Sequence, residues 1–293
     1  MKPAPFAYAQ AESVDHAVAL LAQGAGDAVL LAGGQSLIPM LRSRLARPTL
    51  VVGIGEIERL KAIRPRASRV DIGAMVSHSV LLGWANDNGQ QMLAEAAGYI
   101  GHPTVRTMGT VVGSLAHGDP SAEWGVVALA LEAICSVEGP DGRRMVAAAD
   151  LWEGPFATTL APGEMITLVS FPLPRKGDGS WFVEVAPRRG DPAVAAVAAV
   201  IRLDRYGKIS KARIGLGGLA PTPVRSPSVE AALVGLPADS DFSLPAGEVD
   251  EDIAPLGDLH GSDFYRRRVA PTVVARAVGG AVARARAAQD EGS

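Results

Sequence analysis

The chain has 293 residues, of which 48% are hydrophobic, and a formal net charge of −3 at pH 7. It is long enough to bury a core without disulfides, and its slightly acidic balance argues against a nucleic-acid-binding surface, where a basic stripe would be expected. Cys135 is the single cysteine. This excludes an internal disulfide, and it excludes an iron–sulfur cluster held by this chain, which needs about four thiolates.

No apolar run in the sequence suits a membrane span. The longest, Ala193 to Ile201, covers nine residues, whereas a transmembrane helix needs about 20. The N-terminal residues carry prolines and polar side chains in place of the apolar core of a secretory signal. Together with the lone cysteine, these features predict a cytoplasmic protein, and the apolar run around Cys135 predicts a buried, unreactive thiol.

Periodicity and turn residues predict an α+β chain whose first domain covers residues 1–175, with lobes at 1–57 and 58–175. The smaller lobe is expected to hold a β-α-β arrangement. The predicted elements of this domain are a helix at 12–24, a strand at 28–32, a helix at 37–45, strands at 50–55 and 69–74, helices at 77–85, 90–97 and 124–137, a hairpin turn at 139–142 and a strand at 164–172.

A polar, glycine-containing stretch at 175–180, RKGDGS, predicts the boundary to a second domain at 176–293. Strands at 181–186, 194–203 and 209–218 are most simply arranged as a three-stranded antiparallel sheet. Helical segments are predicted at 228–235, 248–253 and 262–287. The basic clusters Arg42, Arg44 and Arg47, and Arg266 to Arg268, are interpreted as solvated helix faces or helix ends.

The stretch from Ala28 to Leu45 joins an apolar run to a helix-like segment through two adjacent glycines, Gly33 and Gly34. Glycines allow positive φ and leave no Cβ in the way, so consecutive N–H groups can converge on an anion where a helix begins. Ser36 is placed to cap that helix. A phosphate is the expected ligand at this position. A plain tight turn would also accommodate two glycines, and the G-x-G-x-x-G and P-loop spacings are absent.

A second glycine-bearing stretch runs from Arg106 to Glu123 and sets Gly109, Gly113 and Gly118 among hydroxyl and carboxylate side chains. Small residues permit close backbone approach, and the polar side chains suit a ribose or another polyol. A pyrophosphate bordered by sugar-like hydroxyls is a dinucleotide. The two stretches together therefore predict a dinucleotide site.

At these residues the chain resembles the FAD-binding medium subunit of the heterotrimeric molybdenum hydroxylases, the family of carbon monoxide dehydrogenase and of the bacterial nicotine, quinoline and xanthine-type dehydrogenases. The family's first motif, A-G-G-[QH]-S-L, is matched at residues 32–37. Its second motif is matched by Arg106, Gly109, Thr110, Gly113, Ser114, Leu115, Asp119, Pro120, Ala122 and Glu123. Further likenesses are GAMVSH at 73–78, RRGDPA at 188–193, IGLGGLAPTPVR at 214–225, and residues 265–267, so the resemblance extends from end to end.

Two departures from the family pattern fall in the second motif. Thr107 and Val112 stand where the family usually has asparagine and glycine. Because valine is stiff and bulky, either the backbone keeps an ordinary φ at Val112 or the flavin contact is made differently there.

The resemblance implies a two-lobed FAD-binding domain of the vanillyl-alcohol-oxidase/PCMH type, followed by a smaller domain of sheet and helices. It implies FAD as the cofactor of this chain, with no catalytic side chain and no metal. The implied FAD contacts are Ala32, Gly33, Gly34, Gln35, Ser36, Leu37, Thr110, Val111, Gly113, Ser114, Asp119, Ala122, Glu123, Ile166 and Leu168. The first motif is expected at the pyrophosphate, Asp119 and Glu123 at hydroxyls, and the group from Ile166 to Leu168 beside the isoalloxazine.

The resemblance also implies partners: a large subunit with the molybdenum cofactor, which hydroxylates the substrate, and a small subunit with [2Fe-2S] clusters. Electrons end on the FAD of this chain and leave to an acceptor, and the expected assembly is a dimer of heterotrimers. The lone cysteine agrees with this, because a flavoprotein without clusters of its own, if it belongs to such an electron-transfer chain, must receive electrons from another polypeptide.

Two alternatives are a stand-alone flavin oxidase or NAD(P)H reductase, and a non-catalytic nucleotide-binding or assembly protein. A triad of Ser114, His117 and Asp119 is disfavoured, because residues so close in one loop rarely reach the required geometry. His78 and His102 have no partners at metal-ligand spacing and are expected to hydrogen-bond locally.

Overall fold

The computed structural model describes residues 2–24, 26–175 and 177–290. Its N-terminal part is a parallel sheet with strand order β1-β3-β2. The elements are β1 (Ala7–Gln10), α1 (Val14–Gln23), β2 (Ala28–Leu31), α2 (Leu37–Ser43) and β3 (Leu50–Gly53). The predicted β-α-β unit is confirmed as β2, α2 and β3, and it places the glycine pair at the carboxyl end of β2. Strand β1 was not predicted, because its four residues are too few to show an alternating pattern.

An antiparallel sheet of order β4-β5-β10-β6-β7 follows. Its strands are β4 (Ile63–Pro65), β5 (Arg69–Gly73), β6 (Ile134–Gly139), β7 (Gly142–Ala147) and β10 (Met165–Pro172), while β8 (Trp152–Gly154) and β9 (Ala157–Thr158) form a separate pair. Cys135 is fully buried in β6, as predicted, and burial raises the pKa of its thiol to about 12.

Between β5 and β6 the chain is mainly helical. The helices are α3 (His78–Asp87), α4 (Gln91–Tyr99), α5 (Pro103–Met108), α6 (Val111–His117) and α7 (Glu123–Ala130). The helix predicted over 124–137 is wrong in its second half, because α7 ends at Ala130 and β6 begins at Ile134. Glu132, with a φ of 56°, redirects the chain between them. Every residue of α7 is buried, so no amphipathic period marks where the helix ends.

The C-terminal part is an antiparallel sheet of order β11-β12-β13-β14 with helices against it. Its elements are β11 (Asp178–Val185), β12 (Ala195–Leu203), β13 (Ile209–Gly217), β14 (Val224–Arg225), α8 (Pro227–Leu233), α9 (Ser243–Gly247) and α10 (Asp263–Asp290). The three predicted strands are present, but the sheet has a fourth, two-residue strand, β14. Strand β14 was not predicted, because prolines surround it in the sequence.

Strand β12 accounts for the longest apolar run of the sequence. Ala196 and Ala198 belong to the hydrophobic core of the first domain, whereas Val197 and Ala199 belong to a second core under α10. The sheet therefore packs on α4 and α7 with one face and on α10 with the other. Because both faces are buried, apolar residues follow one another without alternation.

Arg266, at the start of α10, is only 1% exposed, so its interpretation as part of a solvated basic cluster is wrong. Its guanidinium donates to the carbonyls of Val194 at 2.7 Å and Gly218 at 2.8 Å, and to the carboxylate of Asp258 at 2.7 Å. The side chain thus ties α10 to the chain ends of β12 and β13, and these acceptors are what a buried guanidinium requires.

The predicted domain boundary at residue 175 falls between β10 and β11, and the division itself stays a prediction. Lys176, within the predicted linker, lies outside the described residues, and residues 178–180 belong to β11 instead of a linker. None of the helices that the described residues form is long and apolar enough to cross a membrane.

Candidate functional site

The two glycine-bearing stretches face one another across a shared cavity of about 810 Å³. A Cβ placed on Gly33 would overlap the carbonyl oxygen of Met108 and would stand 2.7 Å from the Cα of Gly109. The backbones of the two stretches are therefore in contact. Ligand pockets commonly measure about 300–1,000 Å³, so this cavity has room for a large ligand.

The first bend presents a run of open hydrogen-bond donors. The backbone N–H groups of residues 33–37 donate to no other described residue, whereas the next one, of Ile38, donates to the Gly34 carbonyl at 3.0 Å. Gly34 has a φ of +72°, which favours glycine. Ser36 occupies the N-cap position of α2 but makes no capping bond with its side chain, so that predicted bond is absent. The open donors are what an anionic group requires.

The second bend lies between α5 and α6. The hydroxyl of Thr110 caps α6 by accepting from the N–H of Gly113 at 3.1 Å, and a Cβ on Gly113 would stand 2.6 Å from that oxygen. Val112 lies in the first turn of α6 with an ordinary φ and lines the cavity. The departure from the family's glycine therefore requires no strained backbone.

The charges that line the cavity are carboxylates, and none of its described lining residues is Lys or Arg. The carboxylates belong to Asp119, Glu123, Glu164 and Asp191. Glu164 is neutralised by Arg144, whose guanidinium donates to its two oxygens at 2.7 and 2.6 Å. Among the described residues, an anionic ligand would thus be held by backbone N–H groups, without a cationic side chain in the wall.

Asp119 and Glu123 flank the turn that leads into α7. The Asp119 carboxylate accepts from the N–H of Ser121 at 2.9 Å, which accounts for one of its oxygens as turn chemistry. Glu123 is the first residue of α7, and burial raises the pKa of its carboxyl to about 7, with the Asp119 charge adding to the increase. Glu123 is therefore partly protonated near neutral pH.

His78 forms a side-chain hydrogen bond, but not one local in sequence as expected: Nε1 of Trp124, 46 residues further along the chain, donates to its Nδ1 at 3.0 Å. Burial, and then the charge of Arg106, lower the pKa of His78 to about 4. The ring is therefore neutral at pH 7, and since Nδ1 accepts, the proton is assigned to Nε2. His78 lines the cavity, and a Cβ on Gly109 would stand 2.9 Å from its Nε2.

Phe156 is an exposed aromatic residue in a strained conformation at the cavity. Its φ is +57°, and its ring lies 5.1 Å from the ring of His117. Its N–H donates to the Gly118 carbonyl at 2.8 Å, which holds the strained residue in place. Burial lowers the pKa of His117. Strain of this kind is concentrated at functional sites.

The C-terminal part also reaches the cavity, through the turn between β11 and β12. Gly190, Asp191 and Pro192 line it. Gly190 has a φ of +88°, and a Cβ there would stand 2.8 Å from the carbonyl oxygen of Gly101. The cavity is thus closed by residues far apart in the sequence.

All of the predicted site residues except Val111 and Leu168 line this one cavity. Val111 is fully buried in the core, and its N–H donates to the Val76 carbonyl at 3.1 Å. Leu168 follows a β-bulge that lies between Ile166 and Leu168, and a bulge breaks the alternation that would place both side chains on one face.

Several lining residues were not assigned from the sequence: His78, His117, Phe156, the stretch 160–165, and the turn 190–192. A signal existed for three of them, because GAMVSH contains His78, the second glycine-bearing stretch contains His117, and RRGDPA contains the turn. Phe156 and the stretch 160–165 carry no motif.

Family models and related proteins match this chain over nearly its whole length. Residues 4–174 match the family described as the FAD binding domain in molybdopterin dehydrogenase, and residues 181–281 match the CO dehydrogenase flavoprotein C-terminal domain. The 6-hydroxypseudooxynicotine dehydrogenase complex subunit alpha of Paenarthrobacter nicotinovorans is 38% identical over 98% of this chain and 97% of its own length. The carbon monoxide dehydrogenase medium chain of Afipia carboxidovorans is 36% identical over 98% of this chain and its full length.

A solved structure is similar to this chain over nearly its whole length as well. A chain of carbon monoxide dehydrogenase from Hydrogenophaga pseudoflava superimposes with a TM-score of 0.93 at 37% identity, covering 97% of this chain and 99% of that one. The chain therefore belongs to the family of FAD-binding medium subunits of the molybdopterin dehydrogenases, and it carries the C-terminal domain of the CO dehydrogenase flavoproteins.

Proposed function

We propose that this chain is the FAD-carrying electron-transfer subunit of a molybdenum hydroxylase complex. It takes electrons from a partner subunit that carries [2Fe-2S] clusters, after the substrate has been hydroxylated at the molybdenum subunit, and it passes them to an external acceptor. FAD supplies the electron-transfer chemistry when it is bound, whereas the chain supplies binding, orientation and electrostatics.

The observation that carries the proposal is the cavity shared by the two glycine bends. The open N–H donors of residues 33–37 and the contact between Gly33 and Gly109 suit a pyrophosphate held close to the backbone. The cavity volume of about 810 Å³ suits a dinucleotide. In space and in hydrogen-bond donors, the residues present fit FAD.

The roles follow from position and chemistry. The N–H groups of residues 33–36 hold the pyrophosphate. Thr110, Gly113 and Ser114 lie on the diphosphate and ribityl side, where small residues permit close approach. Asp119 and Glu123 hydrogen-bond to hydroxyls, and Ile166 belongs to the apolar wall beside the isoalloxazine.

Support for partner subunits comes from the relatives and from the composition. The related proteins are named as subunits or medium chains, and the single cysteine leaves this chain without thiolates for a cluster. The complex has a large subunit with the molybdenum cofactor and a small subunit with [2Fe-2S] clusters, arranged as a dimer of heterotrimers in the cytoplasm.

Cofactor binding is tested by Gly34→Val. The substitution places a β-branched side chain at a φ of +72°, within about 3 Å of Ile38 and Leu31, and we expect purified protein to lose its flavin absorbance. Gly89→Val is the matched control, since Gly89 has a φ of +66° and open space around it. Full flavin occupancy in Gly34→Val would contradict the assignment of the pyrophosphate to the N–H groups of residues 33–36.

Electron flow is tested by copurification from the native source, with metal and flavin analysis of the complex. We expect organic substrate to bleach the flavin only when the partner subunits are present. Bleaching of the isolated chain by NAD(P)H alone would instead identify a self-sufficient reductase, and purification without flavin would identify a non-catalytic protein.

A further inference from the structure

Glu184 has a buried carboxylate without a partner in the interface between the two parts of the chain. Both of its side-chain oxygens are buried and have no hydrogen-bond partner among the described residues. On β11 it pairs with Ala196, which in turn pairs with Gly217. These three paired residues lie on one face of the sheet. That face packs on α7, since a Cβ on Gly217 would stand 2.5 Å from Cγ2 of Val126. Glu184 thus lies on the sheet face that covers the helices of the cofactor domain.

The charged groups around Glu184 leave it unneutralised. From α4 it is faced by Tyr99 and Glu95, and Glu95 is already occupied by Arg284 of α10 and by the N–H of Phe182. Arg188 and Arg189 line the same surface groove as Glu184 but neither donates to it. An ionised carboxylate without donors is costly to bury. Burial, and then the charge of Glu123, raise the pKa of Glu184 to about 8.

Glu123 is the first residue of α7, the helix that this face of the sheet covers, and it lines the cavity. It is 9% exposed, and Asp119 is the charged group that adds to its high pKa. The nearby cavity histidines do not offset this charge, because burial lowers the pKa of both His78 and His117. Burial thus favours the protonated form of both Glu123 and Glu184.

Negative charge on Glu123 or Glu184 would disfavour the binding of a dianionic pyrophosphate. The described wall of the cavity has no Lys or Arg, and it already contains Asp119 and Asp191. Each further carboxylate that ionises nearby repels the cofactor across a medium of low dielectric constant. Conversely, by linkage, a bound anion favours the protonated form of Glu123.

We propose that binding of FAD is coupled to proton uptake by Glu123 and Glu184, so that the cavity accepts the dianionic cofactor when these two carboxyl groups are neutral. The inference deepens the proposed function and rests on it. Glu123 acts directly, because it lines the cavity. Glu184 acts indirectly, through Glu123, because a protonated Glu184 adds no negative charge next to the helix that Glu123 begins.

The test uses the full chain, stripped of flavin, and FAD itself as the ligand. Affinity is measured by titration calorimetry between about pH 6 and pH 9, in pairs of buffers with different ionisation enthalpies, so that the number of protons taken up is obtained directly. We expect the affinity to fall as the pH rises past 7, by at most about tenfold per pH unit for each proton taken up.

The variants separate the two groups. Glu123→Gln should flatten the pH dependence near pH 7, and Glu184→Gln should flatten it above pH 8. Glu153→Gln, at an exposed glutamate, should keep the full dependence. Since calorimetry of the unmodified chain already measures proton uptake, the test holds even if a variant does not fold.

The outcomes are distinct. FAD binding that is equally tight across this pH range, without proton uptake, would overturn the inference and leave the proposed function standing. A chain that binds FAD at no pH would overturn the proposed function and the inference with it.

Discussion

Gly33 and Met108 are in backbone contact: a Cβ on Gly33 would overlap the carbonyl oxygen of Met108, the residue that ends α5. These residues belong to different glycine-bearing stretches, and their contact joins the two bends into one cavity wall. Because both partners at this point are backbone atoms, neither can rotate away as a side chain would. The contact explains why the first bend has two glycines although Gly34 alone takes a positive φ.

The substitution Gly33→Ala is therefore expected to force the two bends apart. Overpacking of this kind costs about 1–3 kcal/mol of stability, and displacement of the N–H donors should lower flavin occupancy as well. Thermal unfolding and flavin content of purified protein measure the two effects. Gly55→Ala is the control, since a Cβ there has no neighbour within 4 Å; equal flavin content in both variants would contradict the role of the contact.

Phe156→Gly should separate stability from cofactor binding. Relief of the left-handed conformation, with its φ of +57°, should leave the free energy of unfolding unchanged or raise it by about 1 kcal/mol. Loss of the ring from the cavity wall should weaken FAD binding. Arg44→Gly relieves a φ of +62° at a residue that does not line the cavity and should leave binding unchanged. A Phe156→Gly protein that binds FAD as tightly as the parent would show that the strained residue serves structure alone.

The low pKa of His78 predicts that the folded chain loses stability in acid. Its pKa is about 4 in the folded chain and 6.5 as the unperturbed value. Between these values the unfolded chain binds more protons, so the free energy of unfolding should fall as the pH decreases from 6.5 towards 4. Denaturant titrations of the parent and of His78→Gln across this range measure the effect, and the variant should show a smaller slope. His102→Gln, at an exposed histidine, should retain the parent's slope; an identical slope in His78→Gln would contradict the burial argument.

Arg266→Met should destabilise the chain by about 3 kcal/mol or more, because the carbonyls of Val194 and Gly218 and the Asp258 carboxylate lose their donor. Arg266→Lys should recover only part of the loss, since an ammonium cannot reproduce the planar fork. Chemical denaturation measures both. The exposed neighbour Arg268 provides the control Arg268→Met, which should lie within about 0.5 kcal/mol of the parent. A similar small effect for Arg266→Met would contradict the anchoring role.

The parts of the fold that follow from local pattern were predictable. The run Val29 to Leu31 ending at Gly33 indicates the strand and bend of the N-terminal sheet, and β12 follows from its uninterrupted apolar residues. The end of α7 was not predictable, because burial on all sides removes its periodicity. Likewise, the role of Arg266 depends on carbonyls contributed by residues more than 40 positions away.

By itself, the sequence determined the chemistry of this protein: two stretches suited to a pyrophosphate, no thiolates for a cluster, and motifs that indicate the family. Those properties reside in residue type and short spacing, which a linear chain displays directly. Only the tertiary structure decided that Gly33 touches Met108, that Ile166 lines the cavity while Leu168 does not, and that the Glu184 carboxylate is buried without a hydrogen-bond partner among the described residues. Such relationships depend on which segments pack together, and packing is set by the sum of many contacts distant in sequence.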